Sequence, residues 1–161
     1  MFHENKTSKD DFAILGLIGG KRSWRFIDKY YLDDGSGQIN TWKVLLPESN
    51  GSGAIGEVLS TPLIGYTQTF IGIGAFENEA EALALYKYIV GKFSRTMLGV
   101  LKITQHNPIS TWKYVPLQDF TSSSDIDWSK SVHEIDLQLY DKYGLTIEER
   151  NFIETHVKEM D

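Results

Sequence analysis

The sequence predicts an α+β domain: a small mixed or antiparallel sheet packed on one long helix, followed by a C-terminal helical hairpin. Three observations predict it. Short alternating or apolar runs, separated by Gly, Asn, Asp and Ser clusters, fill the chain up to Ile73. Apolar residues then recur at three- and four-residue steps from Ala82 to Leu101. Two shorter helix patterns with end signals close the chain. Strands first and helices after them read as α+β, whereas strands alternating with helices would imply a parallel sheet.

In chain order, residues 1–11 are polar and without period, which predicts a frayed start or an added segment. Residues 12–124 form the main α+β domain, and 125–161 form the helical hairpin packed on it. Phe12 to Ile18 is a short apolar run ended by Gly19-Gly20, as in a buried strand. Arg25 to Leu32 nearly alternates and predicts a second strand, before the turn Asp33-Asp34-Gly35-Ser36-Gly37. Thr41 to Leu46 reads as a third, stopped by Pro47, and Thr67 to Ile73 as a fourth. Asn78 with Glu81 three residues on is a capping-box pattern opening the long helix. Its expected core-facing stripe is Ala82, Tyr86, Ile89, Phe93, Met97, Val100 and Leu101, with a bend or break at Gly91 or Gly99. Trp112 to Leu117, between Pro108 and Pro116, alternates as a short strand would. Val132, Ile135, Leu139 and Tyr143 mark a helix closed by Gly144. Thr146 with Glu149 caps the last one, whose stripe is Ile153, Val157 and Met160.

The chain of 161 residues suits one domain with a real core, and its composition is that of a soluble protein. No apolar run approaches the roughly 18 residues a membrane span needs, so no membrane partner is expected. The absence of cysteine excludes disulfides and thiolate chemistry and favours a cytoplasmic location. His3, His106, His133 and His156 are scattered without ligand spacing, so no metal site is expected. The net charge of -6 is unevenly distributed. From Asp125 onward there are ten acids and four bases, so the remainder balances and the acidic excess belongs to the tail. Such a region is a solvated face first, and a device for local repulsion of DNA second.

Phe70-Ile71-Gly72-Ile73-Gly74 matches the F-x-G-x-G pattern with which adenine methyltransferases hold S-adenosylmethionine. Those enzymes also need an Asp/Asn-Pro-Pro-aromatic segment, and here no two prolines are adjacent. The glycines are therefore expected to permit close packing of a strand on the long helix. A phosphate loop fails around Gly16 to Ser23, because the first glycine of the pattern would fall at Leu15. No nucleophile–base constellation is apparent, so no catalytic residue and no cofactor-binding residue is assigned to this chain.

Two clusters remain. Lys21, Arg22 and Arg25, with Trp24 between them, offer phosphate contacts and a planar surface; alternatively they form a solvated turn with Trp24 in the core. Lys102, Gln105, His106, Asn107 and Lys113 offer charged and amide groups of the kind that read base edges; alternatively the polar knot satisfies backbone groups where the long helix ends.

These residues also carry a resemblance. Lys102-Ile-Thr-Gln-His106 and Trp112-Lys-Tyr-Val-Pro-Leu-Gln-Asp-Phe120 resemble the C-terminal target-recognition region of adenine-specific DNA methyltransferases from bacterial restriction–modification systems. The fused methylase–endonuclease (type II) kind is the nearest in character. The similarity extends to Leu139-Tyr-Asp-Lys-Tyr-Gly-Leu-Thr-Ile-Glu-Glu149, Phe152-Ile-Glu154, the loop Asn50 to Val58, and Ser60-Thr-Pro-Leu63.

The resemblance implies a DNA sequence-recognition domain, non-catalytic in isolation, whose partners are double-stranded DNA and upstream methyltransferase or endonuclease domains. S-adenosylmethionine is then expected in a separate catalytic domain. Lys21, Arg22, Arg25, Lys102 and Lys113 are the candidate phosphate contacts; Asn50, Ser52, Gln105 and His106 are the candidate groove contacts. A segment common to enzymes of different specificity fixes architecture more than it reads bases. The variable reading is therefore expected from loops ahead of the long helix. The alternative is a structural domain that docks methylase and nuclease parts without reading bases, using the acidic helices around Tyr140 and Tyr143.

Overall fold

A computed structural model describes residues 1–35, 37–49, 59–61, 64–101, 106 and 109–160. The α+β class holds, but the expected single sheet is two sheets and the expected long helix is two helices.

The first sheet begins with a hairpin of β1 (Asp11–Ile18) and β2 (Lys21–Asp28), paired over eight positions from Asp11↔Asp28 to Ile18↔Lys21. Gly19 and Gly20 turn the chain with φ of 57° and 77°. Two successive positive φ values match the right-handed twist of the flanking strands, and glycine adopts them without steric cost. β2 thus starts at Lys21, earlier than the pattern from Arg25 suggests, and yields to a 3-10 turn at Lys29–Tyr31. The short β5 (Gly65–Tyr66) adds to β1 in parallel, so the order is β2-β1-β5.

The second sheet is antiparallel, with β3 (Trp42–Pro47) between β4 (Leu59–Thr61) and β6 (Phe70–Phe76). β3 is buried on both faces, which is why its apolar residues run on without alternation. Leu45 packs with Leu15 and Phe70 between the sheets. Val44 and Leu46 face the other way, into a cluster with Leu85, Ile89, Val90 and Leu98.

Those last residues come from α1 (Glu79–Val90) and α2 (Lys92–Leu101). Asn78 caps α1 as its pattern predicts, accepting the N–H of Glu81 at 3.0 Å. The helix breaks at Gly91, so the apolar stripe changes phase. Leu85, Tyr88 and Leu98 are buried, whereas Val100 is 64% exposed. The carbonyls left over at the end of α1 receive side-chain donors from the start of α2: Arg95 Nε bonds Val90 O at 3.0 Å, and Ser94 Oγ bonds Ile89 O at 3.1 Å.

Trp112–Leu117 is not a strand. Ile109–Tyr114 is a 3-10 helix, followed by extended chain in which Leu117 is exposed. Trp112 and Val115, three residues apart, both pack on the Val44 cluster, and a three-residue turn puts such a pair on one side. The hairpin at the end is as expected: α3 (Val132–Lys142) and α4 (Ile147–His156), each opened by a complete capping box, Ser131 with Glu134 and Thr146 with Glu149. It docks through Ile135, Leu139, Tyr140 and Ile153 against Tyr88 and Phe93.

Candidate nucleic-acid interface

Residues 1–11, expected to fray, run beside β2. His3 and Phe26 exchange N–H···O bonds of 2.9 Å, and the Asp11 carboxylate accepts the N–H of Thr7 at 2.6 Å and of Ser8 at 2.9 Å. Towards the hairpin tip, no strand among the described residues pairs with the outer side of β2. The tip is left free. Leu17, Ile18, Gly19, Gly20 and Lys21 are all exposed, and a side chain built on either glycine would meet nothing within 4 Å.

The strand decides what the basic cluster can do. Side chains alternate across a sheet, so Lys21, Ser23 and Arg25 share one face and Arg22 and Trp24 the other. Arg22 lies over the Phe70 ring, with its guanidinium carbon 5.7 Å from the centroid, against the second sheet. Arg25 donates to Trp24 O at 2.8 Å and pairs with Glu4 at 3.3 Å. Lys21 forms no ion pair among the described residues. Trp24 is 42% exposed, so the alternative that places it in the core fails, as does the solvated turn. From Phe12 to Ile27 the hairpin contains three bases and no acid.

The polar knot contributes one described residue. His106 forms an antiparallel bridge with Ser49, and its Nδ1 is 3.1 Å from both Glu48 carboxylate oxygens. Glu48 follows Pro47, which pairs with Phe70. His106 thereby stands at the end of the second sheet that Phe70 and Arg22 also occupy. It faces a carboxylate, which is a different task from donating to a base edge. Asn50, Ser52, Lys102 and Gln105 lie outside the described residues. Lys113 is exposed, with Nζ 5.8 Å from the Tyr114 ring centroid. Its neighbours Trp112 and Val115 pack into the helix-side core, and no described contact joins it to the hairpin.

Phe70–Gly74 is part of β6. Gly72 lies beneath Tyr66, where an added side chain would come within 2.6 Å of the hydroxyl, and Gly74 approaches Leu85 of α1. Close packing therefore accounts for both glycines, although only Gly74 meets the helix. No group of three or more His, Asp or Glu among the described residues is placed to hold a metal ion, and no described helix is long and apolar enough to cross a membrane. Tyr140, named for a docking surface, is fully buried and donates to Glu154 at 2.9 Å.

Two features escape the sequence. Leu17 and Ile18 read as buried strand residues, yet they are 46% and 50% exposed. The Gly-Gly immediately after them is the available signal that they stand at a hairpin tip. Lys43 reads as an outward residue of its strand, yet it is fully buried, donating to Gln38 O at 3.0 Å and Thr41 O at 3.3 Å.

Compared with protein-family models, curated proteins and solved structures, the chain matches none of them.

Proposed function

We propose that the chain is a DNA sequence-recognition domain of a bacterial, cytoplasmic restriction–modification adenine-N6 methyltransferase, with the methyl donor bound and the chemistry done in another domain. One observation carries the DNA contact: a regularly paired hairpin, free of acids, presents Lys21 and Trp24 at an open strand edge. A lysine so placed gains from phosphates by releasing the counterions that surround them. A two-stranded ribbon also has the cross-section that the major groove admits. The net charge of -6 does not oppose this, because the acidic excess lies in the segment that forms α3 and α4. The burial of Tyr140 leaves the rival docking surface with one of its two named residues out of reach.

The test is the salt dependence of duplex binding, measured by fluorescence anisotropy. With Lys21→Ala, the slope of log affinity against log salt flattens by about one unit, the share of a single phosphate contact. Arg22→Ala is a poorer probe, since it also removes the contact with Phe70. An unchanged slope for Lys21→Ala removes the hairpin from the DNA interface.

A further inference from the structure

We infer that the β1–β2 tip is a wedge: Ile18, with Leu17 beside it, enters between stacked base pairs while Lys21 holds the adjoining phosphate. This rests on the DNA-binding reading above and specifies how the hairpin engages the duplex.

The tip has an unusual composition for a free end. Hairpin ends in water are ordinarily polar, yet this one carries two aliphatic side chains, 46% and 50% exposed, directly before the turn. They are held by eight consecutive cross-strand pairs. Ile18 is the register partner of Lys21, so an apolar branched side chain and an ammonium stand side by side on one face. Leu17 is the partner of Arg22 and projects to the other face.

The charge around the tip selects the occupant. The nearest acids in the chain are Asp11 and Asp28, register partners at the far end of the ladder, eight residues from the tip. An apolar point surrounded by bases alone is the arrangement with which minor-groove proteins part a base step. Phosphate contacts hold the backbone while an aliphatic side chain replaces the lost stacking. Isoleucine suits this role because its branched side chain has few rotamers to lose. Pyrimidine–purine steps such as TA open at least cost, so they are the expected point of entry.

The experiment uses the whole chain and a mixed-sequence duplex of about 30 base pairs whose TA steps carry 2-aminopurine in place of adenine. Binding is followed by anisotropy, and unstacking by 2-aminopurine emission. Wild-type protein is expected to raise the emission about threefold at saturation. Leu17→Ser with Ile18→Ser abolishes the rise and leaves the salt slope intact, while Ile18→Phe keeps it. Both positions are exposed, so the unfolding midpoint serves as a control for the fold. Binding without a rise in emission, or a rise that survives the double serine variant, overturns the wedge and leaves the hairpin as a phosphate-binding ribbon. Absence of binding at low salt overturns both the wedge and the DNA reading. Loss of self-association in the double variant, with no effect on DNA, identifies the tip as a protein contact and also overturns the wedge.

Discussion

Asp136, on α3, caps α2 from outside that helix. Its Oδ2 accepts the N–H of Lys92 at 2.8 Å and its Oδ1 the N–H of Phe93 at 3.0 Å. The carboxylate is 1% exposed. Gly91 makes the approach possible, because a side chain there would come within 2.7 Å of Oδ1. Around this contact Lys92 pairs with Glu154 at 2.6 Å, and Arg95 donates to Lys158 O. Burial pushes the Asp136 pKa up, opposed by the two N–H donors. One carboxylate therefore joins the break between the helices to the terminal hairpin.

Asp136→Ala leaves two buried N–H groups without an acceptor. Each such loss costs about 1–3 kcal/mol, so a total near 3 kcal/mol is expected in urea unfolding. Asp136→Asn keeps one good acceptor and is expected to lose about half as much. A loss below about 1 kcal/mol for the alanine variant would show that water or a shifted helix replaces the cap.

Lys43 tests whether buried charge is needed at all. Burial lowers its pKa, against the attraction of Asp34, and its ammonium meets only carbonyl oxygens at hydrogen-bond distance. Replacing a buried charged group by an apolar one of similar volume is often neutral. Lys43→Met is therefore expected to change stability by less than about 1 kcal/mol, and Lys43→Ala to cost about 2–4 kcal/mol through the cavity. Equal losses for both would show that the bonds to Gln38 and Thr41, rather than the filled volume, hold this loop.

The capping boxes set a pH dependence. The Thr146 N–H and hydroxyl lower the Glu149 pKa, and the Ser131 hydroxyl and N–H lower that of Glu134. Carboxyls with depressed folded pKa values stabilise fully above the unfolded value of 4.5, and that contribution is lost as pH falls through the folded values. The carboxyl resonances of both residues should titrate below 4.5. Glu149→Gln should make the pH dependence of stability shallower in acid. Titration at or above the ordinary value would mean that the boxes are open in solution.

Part of the fold is legible because its causes are local. Asn78 with Glu81, and Thr146 with Glu149, are four-residue devices whose donors and acceptors are close in sequence, and both open helices where expected. Gly19-Gly20 likewise marks a turn whatever surrounds it. The 3-10 helix at Ile109–Tyr114 is less legible. Alternation over a few residues suits a strand only if a sheet edge is there to pair with, and Trp112 and Val115 find a packed core. The candidate site divides in the same way. The basic character of Lys21 to Arg25 is plain in the sequence, but its division between two faces depends on β2 beginning at Lys21.

By itself the sequence determined the α+β class, the helix starts, the hairpin turn, the lack of thiol chemistry and the acid-free basic stretch. These follow from local backbone preference or from composition. Only the tertiary structure decided that Arg22 packs on Phe70, that His106 faces Glu48, that Tyr140 and Lys43 are buried, and that Asp136 ends the long apolar stripe at Gly91. Each of these joins residues more than a dozen positions apart, or depends on which face of an element finds a neighbour. The close packing that settles such questions exists only once the two sheets and the helices are assembled.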